Sequence, residues 1–344
     1  MKYFKKTVVF MTAFCLAVSL ALPAGVFASD LPKFVFIATN PQGSIYYTFG
    51  SVLGKVLDDH SSIGGRVRPS GGSSAYIPAI SQGKIDLGVN NANDVRMAYR
   101  GMKPFVKSPN IRVLTVMCPL LVGLLVRNDS DIQTVQDMRG KRVAAKFPAQ
   151  LSIVYCIGGM MAADGLTWAD VKEVPVTNIV VGIQALTEKR LDVTSFAVMA
   201  AKVKEAHATI PGGIRFLSIN ASKEGAERMA EVFPGSYPIL LKANAKGTVG
   251  IPKDTWVQAY DVFFTSGTQL SNDAAYTIVK TLHANPAQIQ KGHGLLRRFG
   301  PDKMVKPNVT IPYHDGAIKF YKEAGLWSAE MDKIQKQLLS EAAK

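Results

Sequence analysis

Three short polar turns carry the residues best suited to chemistry in this chain of 344 residues. They are Gly43-Ser44, Gly72-Ser73-Ser74 and Ala149-Gln150-Leu151-Ser152, and each follows an apolar run and precedes a helical pattern. A helix N-terminus that follows a parallel strand presents unpaired N–H groups and a positive dipole end, so such a turn favours anions. One turn alone is more often a simple helix cap, but three in two matched halves predict a ligand site.

Uncharged groups are the expected ligand contacts, because no Lys or Arg lies within these turns. The backbone N–H groups of residues 72–74 and 150–152 and nearby hydroxyls can each donate a hydrogen bond to an anion. Helical phase favours Tyr47 over Tyr46 as the tyrosine that faces the ligand. The full predicted set of ligand-binding residues is Ser44, Tyr46, Tyr47, Gly72, Ser73, Ser74, Asn91, Ala149, Gln150, Ser152 and Phe196.

Patterns typical of catalysis are weak. The sequence has no HExxH, GxSxG, Walker or CxxC motif, and its five histidines are dispersed without the spacing of metal ligands. The carboxylates that could in principle act in pairs are Asp58, Asp59, Asp86, Asp94 and Asp192, but solvation or helix capping explains them better. We therefore expect no enzyme activity, no catalytic residue, no metal site and no cofactor.

Two stretches of the chain follow the order βαβαβ, the unit of a parallel sheet covered by helices. The first predicts strands at 34–38, 66–69 and 85–89, with helices from residue 45 and around 75–80. The second predicts strands at 141–145, 174–177 and 192–198, with helices at 152–163 and 179–189. The repeated order predicts an α/β protein with two similar lobes.

The remaining segments connect and cover these lobes. The apolar run from Arg112 to Arg127 is interrupted by Pro119 and Gly123, which predicts two extended segments that cross between the lobes. A strand at 256–265 and helices at 271–284, 315–324 and 328–342 are expected to return to the first lobe. The predicted organisation is a signal peptide at 1–28, lobe 1 at 29–126 and 237–344, and lobe 2 at 127–236.

The N-terminus has the features of a cleavable export signal. Three lysines precede an apolar run at residues 8–22, and Val26-Phe27-Ala28 has small residues at the positions that a signal peptidase reads. An uncleaved membrane anchor is the alternative, but the run is short for a span and no basic cluster follows it. We expect a periplasmic protein that begins at Ser29.

Composition narrows the classes of partner. Loss of the signal peptide with its three lysines lowers the formal charge from +14 to +11. The basic residues are scattered, which argues against nucleic acid and leaves small anions as the favoured partners of a monomer. Cys118 and Cys156 each lie in an apolar run, so two buried free thiols are favoured over one disulfide.

Several short motifs together resemble the TAXI family of solute-binding proteins from tripartite ATP-independent periplasmic (TRAP) transporters. The first group lies between Ala38 and Asn91 and consists of Gly43-Ser44-Ile45-Tyr46-Tyr47, Gly71-Gly72-Ser73-Ser74 and Gly83-Lys84-Ile85-Asp86-Leu87-Gly88. Later matches are Asp137-Met138-Arg139-Gly140-Lys141-Arg142-Val143 and His314-Asp315-Gly316-Ala317. The resemblance spans nearly the whole mature chain.

The resemblance implies a type II periplasmic-binding-protein fold, in which two lobes joined by a hinge enclose a ligand cleft. It further implies a receptor that delivers a small organic anion, of the glutamate or dicarboxylate type, to the membrane subunits of a TRAP permease. The first alternative is a receptor of an ABC importer for a sulfonate or a pyrimidine precursor. The second is a periplasmic enzyme or ligand sensor on the same scaffold.

Overall fold

Strands and helices alternate along most of the chain, as the sequence predicts. The computed structural model describes residues 31–342. Its strands are β1 (Phe34–Thr39), β2 (Gly64–Pro69), β3 (Leu87–Asn91), β4 (Ile111–Arg127), β5 (Arg142–Lys146), β6 (Lys172–Val176), β7 (Thr194–Ala197), β8 (Ile214–Phe216), β9 (Tyr237–Leu241) and β10 (Thr255–Gly267). Its helices are α1 (Ile45–His60), α2 (Ser73–Ser81), α3 (Ala92–Arg100), α4 (Ser152–Ala163), α5 (Ile179–Thr187), α6 (Ala201–Thr209), α7 (Lys223–Val232), α8 (Asn272–Ala284), α9 (Pro286–Gly292), α10 (Asp315–Glu323) and α11 (Ala329–Ala342).

The first βαβαβ unit forms the expected parallel sheet. β1 pairs in parallel with both β2 and β3. Ser44 caps α1 by accepting a hydrogen bond from the N–H of Tyr47. The apolar stripe of α1, which includes Phe49 and Leu53, is buried where the helix packs on this sheet. This arrangement places the ends of β1 and β3 at the same edge of the first lobe.

The second βαβαβ unit repeats this order. β5 pairs in parallel with β6, and a parallel bridge between Val143 and Val193 joins β5 to the segment that leads into β7. Asn178 caps α5 by accepting hydrogen bonds from the N–H groups of Val180 and Val181. The prediction of two similar α/β lobes is confirmed.

Two long antiparallel strands connect the lobes. β4 has 17 residues and β10 has 13, and the two strands pair with each other along most of their lengths. β10 also pairs with β3 of the first lobe and with β9. The second half of β4 pairs with β7 and β8 of the second lobe. At its start β10 also bonds to the second lobe, because the N–H of Trp256 donates to the hydroxyl of Ser218 and its carbonyl accepts from the N–H of Ile219. Both strands therefore run from one lobe into the other.

The expectation of two crossing segments within residues 112–127 is wrong, because this run forms a single strand and β10 supplies the second crossing. Pro119 does not break β4, because it lies opposite Asp261, where the pairing is irregular and a missing N–H is tolerated. Gly123 marks close packing rather than a turn, since a Cβ at this position would lie 2.7 Å from the ring of Phe216.

The C-terminal helix packs against the first lobe. The hydroxyl of Tyr99 donates a 2.8 Å hydrogen bond to the carbonyl of Leu338, and Arg100 forms a 2.6 Å ion pair with Glu341, so α11 is fastened to α3. The lobe boundaries at 126 and 236 remain predictions, and the predicted signal peptide lies outside the described residues. Within residues 31–342, no helix is long and apolar enough to cross a membrane.

Both cysteines of the described chain are free and buried. The thiol of Cys156 donates a 2.7 Å hydrogen bond to Oε1 of Gln258. Burial raises the pKa of Cys118 to about 12, and burial also raises the pKa of Cys156. Because the thiolate is the reactive form of cysteine, the folded protein keeps both groups unreactive.

We expect neither thiol of the folded protein to react with DTNB within minutes at about pH 8, since both are withdrawn from solvent. Unfolding in guanidinium chloride should make both reactive. The variant Cys118→Ser should halve the signal in denaturant and leave the native baseline unchanged. A fast reaction of Cys118 in the native protein would show that β4 is more accessible than its burial indicates.

Candidate ligand-binding site

A small cavity lies between the two lobes, at the ends of β1, β3 and β7. Its volume is about 30 Å³, which is room for one or two water molecules. Both lobes and both crossing strands contribute to its wall. The lining residues are Asn40, Ser44, Ile45, Tyr46, Ser73, Asn91, Asp94, Leu120, Val122, Gln150, Ser152, Ile153, Ile179, Ser195, Phe196, Ala197 and Tyr260.

Most of the predicted ligand-binding residues lie at this cavity. Those that line it are Ser44, Tyr46, Ser73, Asn91, Gln150, Ser152 and Phe196. The preference for Tyr47 over Tyr46 is wrong, because Tyr46 is buried in the cavity wall while Tyr47 is half-buried and lies outside it. The N–H of Tyr47 is used in the cap at Ser44. That these residues bind a ligand remains a prediction.

The turns that begin α2 and α4 hold the two lobes together directly. The N–H of Ser74 donates a 3.3 Å hydrogen bond to the carbonyl of Ala149, and the Oγ of Ser74 accepts a 2.9 Å bond from the N–H of Leu151. A Cβ on Gly72 would lie 2.1 Å from the Ala149 oxygen, so only glycine permits this approach. We call these contacts of Gly72, Ser74, Ala149 and Leu151 the interlobe latch.

The latch corrects the role expected for the backbone of these turns. The sequence predicts that the N–H groups of residues 72–74 and 150–152 hold an anion. The N–H groups of Ser74 and Leu151 instead take part in the latch, and those of Gly72 and Gln150 donate within their own lobes. Gly72, Ser74 and Ala149 therefore join the lobes and do not line the cavity. The N–H groups of Ser73 and Ser152 take no part in these contacts, so a role for them in holding an anion stays a prediction.

A carboxyl group is buried in this wall. Asp94 lies in the first turn of α3 and is 1% exposed. The hydroxyl of Ser73 donates to its Oδ2, and its N–H donates a 2.6 Å hydrogen bond to the side chain of Asn91. Burial raises the pKa of Asp94 to about 6, although the polar groups of Ser152, Ser73 and Asn91 oppose this rise. Solvation therefore does not explain Asp94, which is buried, although the residue does stand in the first turn of α3 with its N–H bonded to the cap residue Asn91.

Several polar atoms of the wall have no hydrogen-bond partner among the described residues. The unpaired donors are the hydroxyls of Tyr46 and Ser195 and the Nε2 of Gln150, and the unpaired acceptor is the Oδ1 of Asp94. Gln150 is held by its Oε1, which accepts a 2.8 Å hydrogen bond from the N–H of Ile179. An unpaired buried polar group costs about 1–3 kcal/mol. The cavity can therefore bind a molecule that has both hydrogen-bond acceptors and a hydrogen-bond donor.

The rest of the wall is uncharged. Its apolar side chains are Ile45, Leu120, Val122, Ile153, Ile179, Ala197 and Phe196. Burial raises the pKa values of Tyr46 and Tyr260 well above the ordinary range, so both hydroxyls stay neutral. The described lining residues include no Lys, Arg or His. In the described part of the chain, no group of His, Cys, Asp and Glu is placed to hold a metal ion.

Sequence reasoning missed Asp94, Ser195 and Tyr260 as residues of this cavity. Asp94 had a local signal, because Asn91 and Asp94 have the spacing of a helix cap and a first-turn acid directly after a buried strand. Ser195 and Tyr260 had no local signal. Pairing of their strands with β4 brings them to the cavity, and that contact joins segments distant in sequence.

We expect Asp94→Asn to stabilise the ligand-free protein by roughly 1–3 kcal/mol at about pH 7.5. The raised pKa means that the folded state binds the proton of Asp94 more tightly than the unfolded state does. The stability that this proton contributes is therefore fully present below the unfolded pKa of 3.8, and it is lost as the pH rises through about 6. The gain from the substitution should therefore approach zero near pH 4. Urea unfolding at the two pH values measures this difference.

Asp192→Asn is the matched control for this experiment. Hydrogen bonds from the Arg142 side chain lower the pKa of Asp192. This carboxylate therefore stabilises the fold above its unfolded pKa, and its stabilisation is lost as the pH falls. The loss caused by Asp192→Asn should be larger at pH 7.5 than near pH 4. The same pH response in both variants would contradict the environment described for Asp94.

Proteins of known structure share this fold. PhnD1 from Prochlorococcus marinus (MIT 9301), in complex with methylphosphonate, is 9% identical, and the match covers 86% of this chain and 100% of that chain with a TM-score of 0.53. A structure described as a periplasmic transporter is 12% identical over 90% and 97% of the two chains, with a TM-score of 0.52. The alkanesulfonate-binding protein SsuA from Xanthomonas axonopodis pv. citri, bound to MOPS, is 15% identical over 90% and 84%, with a TM-score of 0.47. The first two matches confirm the predicted two-lobed, periplasmic-binding-protein-like α/β fold.

The family comparison corrects the assignment that the sequence motifs suggested. The family whose model matches residues 37–325 is described as the NMT1-like family. The assignment to the TAXI family is therefore wrong, and so are the TRAP-type function and the TRAP permease partner that it implied. The matched region covers most of the chain, from β1 to the end of α10. The chain belongs to the NMT1-like family.

Proposed function

We propose that this protein is a periplasmic solute receptor of an ABC-type importer and that it binds a small organic sulfonate or phosphonate between its lobes. Membership of the NMT1-like family and the shared fold support solute binding rather than catalysis. PhnD1, which has this fold, is in complex with methylphosphonate. The predicted signal peptide at residues 1–28 agrees with the proposed location.

The observation that carries this proposal is the distribution of unpaired donors around the cavity. Tyr46 belongs to the first lobe, whereas Gln150 and Ser195 belong to the second. A solute whose oxygens accept hydrogen bonds from all three binds the closed form more tightly than an open form. Binding and closure thereby become one event, and an importer can distinguish the loaded receptor from the empty one.

Uncharged donors are sufficient for this task. A hydrogen bond to an ionised oxygen contributes roughly 1.5–3 kcal/mol when it is formed away from water. Tyr46, Gln150 and Ser195 are each less than 5% exposed, and their unpaired polar atoms are buried. They can therefore replace the water molecules that hydrate a sulfonate or phosphonate group.

Entry of the solute requires an open form. A cavity of about 30 Å³ holds water but no organic anion, so the walls must separate for the solute to enter. The closed form with solute bound must also have a larger cavity than the form described here. β4 and β10 are the connections that bend in this motion, because they are the strands that cross between the lobes.

Uptake measurements test the transport function. Mass spectrometry of the protein purified natively from the periplasm identifies the bound solute, and cells with and without the gene are then compared for uptake of that labelled solute. We expect uptake to require this protein, to stop when ATP is depleted and to continue when ion gradients are collapsed. Uptake that follows an ion gradient, or that is unchanged without the protein, would contradict the proposal.

Ser195→Ala is expected to weaken binding of the co-purified solute about tenfold, which corresponds to about 1.4 kcal/mol. Its hydroxyl has no partner in the described structure, so its loss removes a ligand contact without breaking an internal bond. Titration calorimetry measures the affinity. Ser271→Ala is the control, because Ser271 caps α8 by accepting from the N–H of Ala274. The control should lose about 1 kcal/mol of stability and keep its affinity. If Ser195→Ala loses stability but keeps its affinity for the solute, Ser195 is not a ligand contact.

Gly72→Ala is expected to prevent full closure. Its Cβ would lie 2.1 Å from the Ala149 oxygen and 2.2 Å from Cγ of Gln150, so the latch cannot form. Small-angle scattering should show compaction of the wild-type protein on adding the co-purified solute and no compaction of this variant. Gly71→Ala is the matched control, since its Cβ would lie 3.3 Å from the Cβ of Ala149, a contact that a shift of a few tenths of an ångström relieves, and it should still close. Normal closure of Gly72→Ala would show that the latch is not required.

A further inference from the structure

The charge of Asp94 is not balanced within the cavity. Its carboxyl is 1% exposed, and no basic side chain is present among the described lining residues. The titratable groups of other elements that interact with it are Tyr46, Tyr76, Cys156 and Tyr260. Tyrosine and cysteine side chains are never positively charged, and burial raises the pKa of each of these four groups, so all four stay neutral and none offsets the charge of Asp94. A simple anion bound here would place a second negative charge beside the carboxylate, away from water.

The unpaired atoms of the wall specify the complementary ligand. The Nε2 of Gln150 can only donate, and the hydroxyls of Tyr46 and Ser195 can donate as well as accept, so all three can bind acceptor atoms of the ligand. One acceptor, the Oδ1 of Asp94, requires a donor atom. The other carboxylate oxygen is already occupied, because Oδ2 accepts from the hydroxyl of Ser73. A plain sulfonate carries no proton at neutral pH, so it satisfies the three donors and leaves Oδ1 unpaired. A phosphonate monoanion can donate its one P–OH proton to Oδ1 but still places a second negative charge beside it.

We propose that the solute is a small zwitterion, whose ammonium group pairs with Asp94 and whose oxyanion is held by Tyr46, Gln150 and Ser195. This inference rests on the proposed function, since it names the chemical class of the solute that the receptor binds. The ammonium cancels the buried negative charge and donates to the unpaired Oδ1. Asp94 is thereby the residue that selects amino-substituted oxyanions over their amine-free counterparts.

A neutral Asp94 is the competing explanation, because a protonated carboxyl tolerates a simple anion. The two cases respond to pH in opposite directions. A zwitterion needs the carboxylate, so its affinity falls when the pH drops below the pKa of Asp94, which burial raises to about 6. A simple anion needs the protonated form, so its affinity rises over the same interval.

Matched pairs of compounds provide the direct test. Titration calorimetry at pH 7.5 compares 2-aminoethanesulfonate with ethanesulfonate, 2-aminoethylphosphonate with ethylphosphonate, and alanine with propionate, using the mature chain. In the pair whose oxyanion fits the site, we expect the amino compound to bind at least tenfold more tightly than its amine-free partner. Its affinity should fall at least fivefold between pH 7.5 and pH 5, a measurement that needs no variant.

Variants assign the selectivity to one residue. Asp94→Asn should reduce the preference for the amino compound to less than threefold. Asp192→Asn, which removes a carboxylate that pairs with Arg142 on the surface of the second lobe, should retain the full preference.

The outcomes separate the two proposals. If an amine-free compound binds as tightly as its amino partner, or more tightly at pH 5 than at pH 7.5, the zwitterion inference is overturned and the receptor function stands. If Asp94→Asn folds and keeps the full preference, the inference is also overturned. If none of the six compounds binds, both the inference and the proposed class of solute are overturned.

Discussion

The antiparallel pairing of β4 with β10 is the constraint on which the rest of this structure depends. Each strand is long enough to join the sheet of one lobe at one end and to reach the other lobe at its opposite end. Nearly all residues of both strands are buried, so the pair cannot slide without exposing apolar surface. The ladder is irregular opposite Pro119 and next to Phe264, and we expect a bend to concentrate there. Because Leu120, Val122 and Tyr260 belong to these strands and also line the cavity, a bend in the pair alters the wall directly.

Local patterns in the sequence were enough to predict the two βαβαβ units. Apolar periodicity and cap residues act over a few positions, and Ser44 does cap α1 as its position before an apolar stripe predicts. Pro119 and Gly123 were misinterpreted for the same reason. Proline and glycine both disfavour an isolated strand. In β4, however, Pro119 lies at an irregular position of the pairing and Gly123 packs closely against Phe216, so the strand continues through both. Those partners, Asp261 and Phe216, lie far away in the sequence.

The candidate site was predictable in position but only partly in chemistry. The three Gly/Ser turns do meet between the lobes, because strand ends and helix starts share one edge of each sheet. The distance between the lobes decides which N–H groups of these turns remain free to bind a ligand. That distance cannot be predicted from a local sequence pattern. The TAXI assignment failed on similar grounds. Its motifs describe strand-to-helix turns, and any two-lobed binding protein needs such turns, so they identify the fold better than the class of transporter.

The small volume of the closed cavity has a consequence for kinetics. When the latch is formed, a cavity of about 30 Å³ is too small for an organic solute to move through, so a bound solute cannot escape faster than the lobes separate. The dissociation rate constant then has an upper limit set by the opening of the protein, which occurs on the microsecond to millisecond timescale typical of hinge motions. A solute that stabilises the closed form lengthens its own residence time by making opening rarer. A permease that pulls the lobes apart at the membrane would therefore control when the solute is released.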